Sequence, residues 1–73
     1  MRRLTELPTP RVIRALKRAG WEVYGGSKHY KLLNDARPGA LTVPRSSPLK
    51  KGTIRAILRQ AGISLQEFWT LYK

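Results

Sequence analysis

The chain of 73 residues predicts an α+β fold, helices laid on one face of a three-stranded antiparallel sheet. Three observations lead there. Apolar residues recur at helical spacing before Gly20 and again before Gly62. Between these segments, three β-prone runs are separated by turn-forming residues. A short apolar stretch after Gly62 carries its own helix-start signal. The resulting order, helix, three strands, helix and a short C-terminal helix, suits a sheet whose one face is covered by helices.

Thr9 and Pro10 predict the first helix start, the hydroxyl as cap and the ring preset for the first turn. Val12, Ile13, Leu16 and Ala19 share one helical face, Arg11, Arg14, Lys17 and Arg18 take the others, and Gly20 supplies a left-handed stop. Trp21 to Tyr24 reads as a strand broken by Gly25, Gly26 and Ser27. His29 to Leu33 alternates, Tyr30 and Leu32 facing one way and His29, Lys31 and Leu33 the other. Asn34 to Gly39 carries every usual turn former, and Ala40 to Val43, closed by Pro44, suits a short third strand. After a polar link, Ile54, Ile57, Leu58 and Ala61 mark the second helix. Ser64 with Glu67 forms a capping box for the third, whose Leu65, Phe68, Trp69, Leu71 and Tyr72 read as a cap on the core.

The size suits one domain spanning 1–73 with a marginal core, so apolar surface left exposed is a candidate partner site. Fifteen Lys and Arg stand against four Asp and Glu, a formal charge of +11. Such a balance attracts nucleic acid, anionic membrane or an acidic protein. Cysteine is absent, which removes disulfide frameworks and thiolate zinc sites and fits a reducing cytoplasm. The opening residues hold no continuous apolar stretch, so neither a signal-peptide core nor a membrane span is expected, and the reading is a soluble cytoplasmic protein without a membrane partner.

His29 is the single histidine, placed after Gly25-Gly26-Ser27-Lys28 at the start of a strand and beside Tyr30 and Lys31. Cleaving RNA by internal attack needs a base for the 2′-hydroxyl proton, an acid for the departing 5′-oxygen, and cations around the phosphate. An imidazole, which exchanges protons near neutrality, fills either proton-transfer role. The competing reading is a surface histidine that only hydrogen-bonds a loop. Gly25, Gly26 and Ser27 offer backbone amides to a phosphate or simply form a turn. Lys50 and Lys51 precede the second helix, where cations oppose the helix dipole, so a phosphate contact competes with a solvated pair. Tyr24 and Tyr30 either stack unpaired bases or pack, as does Trp21. The arginines of both helices read as solvated faces that add to a nonspecific field.

Gly26-Ser27-Lys28-His29, Leu41-Thr42-Val43-Pro44-Arg45 and the stretch from Leu49 to Ser64 together closely resemble the HicA mRNA interferase toxins over nearly the whole length. The resemblance implies a fold like a double-stranded-RNA-binding domain. It implies metal-independent RNA cleavage without a cofactor, with the catalytic histidine falling on His29 and the glycine-containing turn on Gly26 and Ser27. It also implies a HicB-type antitoxin partner that covers His29. Many relatives carry a second histidine just after the Val-Pro element, where this chain has Ser46 and Ser47.

The leading expectation is therefore a toxin of a type II toxin-antitoxin system, an endoribonuclease cleaving mRNA. In it His29 is catalytic, while Gly26, Ser27, Lys28, Lys31, Lys50 and Lys51 contact RNA. The alternative is a non-catalytic double-stranded-RNA-binding module, since such domains also place lysines at the start of their second helix. A third is a fragment working only inside a protein complex.

Overall fold

The computed structural model describes residues 3–73. Its order is α1 (Thr9–Arg18), β1 (Glu22–Gly25), β2 (His29–Asn34), β3 (Arg37–Pro44), α2 (Lys51–Ala61) and α3 (Leu65–Tyr72). The sheet runs β1-β2-β3, antiparallel throughout. This is the α+β architecture expected from the sequence, with the short helix after Gly62 in place.

The alternation in β2 sets the two sides of the sheet. Leu32 is fully buried with Leu41 and Val43 of β3, while His29, Lys31 and Leu33 are exposed. The apolar faces of all three helices share that core: Val12, Ile13 and Leu16 from α1, Ile54, Ile57 and Leu58 from α2, and Phe68, Trp69 and Tyr72 from α3. Phe68 is wholly enclosed, a burial that contributes roughly 1.5–3 kcal/mol. Among the described residues, no helix covers the other sheet face.

The start of α1 departs from expectation. Pro8, in extended conformation, occupies the cap position, and Thr9 is the first helical residue. Thr9 is buried; its hydroxyl donates to the Ser46 carbonyl, and its N–H donates to Ser47 Oγ at 3.2 Å. The capping oxygen thus comes from the link between β3 and α2. A second tie fixes the same junction, where Leu7 and Leu49 exchange backbone hydrogen bonds of 3.1 and 2.8 Å. Gly20 does supply the positive φ, +99°, that ends α1, and Trp21 is a buried residue just before β1 rather than within it.

β3 is longer than expected because the turn after β2 is only Asp35 and Ala36. Asn34 closes it by accepting the Ala36 N–H at 2.9 Å, an Asx turn. Asn34 then pairs with Arg37, yet Leu33 pairs with Ala40, so Pro38 and Gly39 bulge from the edge strand. Proline without an N–H and glycine at φ +86° suit that irregularity.

Two arginines of α1 are structural. Arg18 donates to the Leu71 carbonyl at 2.7 Å and to that of Lys73, closing the C-terminus of α3, while the Arg11 guanidinium lies 4.6 Å from the Tyr72 ring centroid. Cations satisfying a helix's last carbonyls favour its dipole. Among the described residues, no helix is long and apolar enough to cross a membrane.

Candidate nucleic-acid interface

His29 opens β2, opposite Pro44 on β3. On its other side the Gly26 N–H donates to the His29 carbonyl at 2.9 Å, which leaves Ser27 and Lys28 at the tip of the β1-β2 hairpin. Gly26 needs to be glycine, because a Cβ there would stand 2.8 Å from the His29 carbonyl oxygen. Its amide is committed to the turn, so Gly26 serves the site by bringing the two backbones close rather than by donating to a phosphate. Ser27 and Lys28 are exposed at the tip.

Gly25 is constrained from the other face. Arg45, one residue past β3, folds back under the hairpin: its N–H donates to the Lys28 carbonyl at 3.1 Å and its Nε donates to the Gly26 carbonyl. Its guanidinium lies 4.2 Å from the Tyr30 ring centroid, and Nη1 donates to the Tyr30 hydroxyl at 3.4 Å. A Cβ at Gly25 would approach an Arg45 nitrogen to 2.7 Å. Two adjacent glycines thus admit close neighbours on opposite faces. Sequence reasoning missed Arg45; the signal available was the glycine pair itself, since one turn glycine explains only half of it.

Strand alternation places Lys31 on the uncovered face with His29, and Tyr24 of β1 stands opposite Lys31. Tyr24 is exposed, so the packing reading holds for Tyr30 and Trp21 but not for Tyr24. Its hydroxyl donates to Glu22 Oε2 at 2.8 Å. That bond, then the nearby negative charge, raises the phenol above its ordinary value, because the carboxylate holds the proton and opposes a second anion. Glu22, the acid of β1, is thereby engaged by the residue that stands opposite Lys31.

Lys50 and Lys51 belong to the helical layer. Lys50 is the cap residue of α2 and Lys51 its first helical residue, both exposed, with neither a side-chain cap nor an acidic residue in the first turn. Ile54 makes the first intrahelical bond, to the Lys50 carbonyl at 3.0 Å, which leaves the preceding amides facing outward. Gly52 has open space where a side chain would stand. At the far end of α2 a Cβ on Gly62 would run into the Arg37 guanidinium at the start of β3, so α2 runs back along β3 and begins near its Pro44 end. The two lysines therefore lie toward the end of the sheet that holds His29, in the layer behind it. The structure brings His29, Lys28 and Lys31 onto one hairpin and leaves Lys50 and Lys51 as a separate cationic corner.

The hairpin can offer a proton-exchanging imidazole flanked by cations on an unobstructed surface. Ser46 and Ser47 are both engaged with Thr9, through the Ser46 carbonyl and Ser47 Oγ. No curated protein matches the chain. The family model described as the HicA toxin of bacterial toxin-antitoxin systems matches residues 10–63, from α1 through α2 and across His29, Arg45 and both lysines of the cationic corner. The chain belongs to the HicA toxin family.

Proposed function

We propose that this toxin is an endoribonuclease that cleaves mRNA without a metal ion, and that a HicB-type antitoxin neutralises it. The observation that carries the reading is the exposed His29 at the root of a hairpin whose uncovered side also holds Lys31, with Lys28 at its tip. Neutral imidazole accepts the proton of a ribose 2′-hydroxyl as that oxygen attacks the adjacent phosphorus; protonated imidazole gives its proton to the departing 5′-oxygen. The bond formed closes a 2′,3′-cyclic phosphate, the bond broken frees a 5′-hydroxyl, and no oxidant or cofactor enters. Lys31 and Lys28 offset the charge gathering on the phosphate oxygens. The family's antitoxin partner has a reason to cover this face, since blocking the hairpin excludes RNA from His29.

Lys50 and Lys51, with the outward amides of α2, serve as an anchor for the RNA backbone beyond the hairpin. The test is a gel assay of purified RNA in excess chelator, native chain against His29→Ala, with folding matched by circular dichroism. Cleavage by the native chain alone supports the assignment. Cleavage by both moves the chemistry to another group, and cleavage by neither favours a binding module.

A further inference from the structure

Tyr24 has no role in the chemistry just described, yet its placement is unusual for an aromatic residue in so small a domain. Among the described residues, Trp21, Phe68, Trp69 and Tyr72 are buried and Tyr30 is half-buried under Arg45. Tyr24 is 49% exposed. It stands directly opposite Lys31, and His29 lies two residues along β2 on the same face. Tyr24 and His29 are therefore diagonal neighbours across an antiparallel pair, a spacing of about 7–8 Å that long and aromatic side chains span.

Three further features shape the surface between them. Gly26 leaves the position opposite His29 without a side chain. The hydrogen bond to Glu22, two residues back along β1, draws the phenol away from Gly26. Beyond Lys31 the same face continues with Thr42, and beyond Leu33 with Ala40, both short side chains. The result is a pinned aromatic ring on a low surface, opposite Lys31 and diagonal to His29, in a chain of formal charge +11. An anion with a flat apolar part fits that combination; an unpaired nucleotide has both.

On the reading that this face cleaves RNA, we infer that Tyr24 is a stacking platform for an unpaired base beside the scissile phosphodiester, so that the site takes single-stranded RNA. In a duplex that base is already stacked between its neighbours and has no free face to present. The sheet thus sets a strand requirement on the RNA that the site takes.

The test measures binding apart from cleavage, by fluorescence anisotropy with short single-stranded 2′-O-methyl RNA, which lacks the attacking hydroxyl. Tyr24→Ala is expected to weaken binding by about tenfold or more, and Tyr24→Phe to stay close to native. A scan of oligonucleotides with one abasic position should show one position that weakens the native chain and leaves Tyr24→Ala indifferent. Equal affinity of native and Tyr24→Ala overturns the proposal while the nuclease reading stands, and assigns Tyr24 to protein contact instead. Failure of the native chain to bind any oligonucleotide overturns both. If Tyr24→Ala does not fold, the abasic scan on the native chain decides, and a flat scan overturns the platform.

Discussion

Arg45 lays its guanidinium over the ring of Tyr30, 4.2 Å from the centroid, in space left by the missing side chain of Gly25. This contact lies on the side of the hairpin away from His29, so Arg45 acts on the site through the backbone it ties down. Arg45→Ala should cost about 0.5–1 kcal/mol of stability. It should also lower RNA cleavage by about tenfold or more through misplacement of His29. Arg45→Lys should recover little, because a lysine neither stacks on the ring nor donates in a fork. Thermal melts beside cleavage rates check this; undiminished cleavage by a looser hairpin would remove Arg45 from the site.

Replacing His29 by alanine should reduce cleavage by about a hundred- to ten-thousandfold, the usual worth of one positioned acid or base. RNA affinity should change little. Single-turnover rates give the comparison, and undiminished cleavage by His29→Ala would take the proton transfer away from His29.

Lys50 and Lys51 should respond oppositely in binding and stability. Changing both to glutamine removes cations from a helix N-terminus, so stability should rise by a few tenths of a kcal/mol, about 0.3 or more per residue. RNA affinity should fall, and the slope of log affinity against log salt should flatten by about 0.7 for each phosphate of a single strand that is no longer neutralised. An unchanged salt slope would mean that this corner faces away from the RNA.

Ser47 is expected to matter for folding and not for chemistry. Ser47→Ala removes the acceptor of the Thr9 N–H and should destabilise the domain by about 1 kcal/mol. Cleavage per folded molecule should be unchanged. Chemical denaturation with activity measured well below the transition separates the two effects.

The phenol of Tyr24 gives a pH signature. Glu22 raises it above 10.0 through the hydrogen bond first and its charge second, so Glu22→Gln should bring its ionisation to lower pH in an absorbance titration. Because the folded-state value is the raised one, the interaction favours the fold below the ordinary phenol range and is lost as pH rises through the folded value. A titration unmoved by Glu22→Gln would show that the bond does not hold the ring.

Much of the architecture was legible because its signals are local. The periods of α1 and α2, the stop at Gly20, the capping box at Ser64 and the inside-outside alternation of β2 each sit within a few residues. The capping box is realised as the Glu67 N–H donating to Ser64 Oγ at 3.1 Å. What the sequence misassigned depends on partners far along the chain. Thr9 looked like a cap because its own hydroxyl suits one, yet the capping oxygen comes from Ser47. Arg37, Pro38 and Gly39 looked like turn residues, and two of them do bulge, but β2 continues pairing on either side of them. Arg11 and Arg18 looked solvated until α3 was laid against α1. At the site, the face shared by His29 and Lys31 followed from alternation alone. The clamp of Arg45 on Tyr30 joins residues 15 apart, and the exposure of Tyr24 follows from which strand face the helices cover.

The ties between Thr9 and the Ser46-Ser47 link, reinforced by Leu7 with Leu49, have a consequence for synthesis. The first helix emerges from the ribosome with its leading amide unmatched, and its partner is encoded 38 residues later. Its far end waits longer still, since the aromatic helix that lies against it follows α2 in the chain. Translation of this toxin is thus ordered so that a truncated product ending before Ser47 lacks both the cap of α1 and the helices that bury the sheet, and a completed hairpin without them has no platform on which to hold His29.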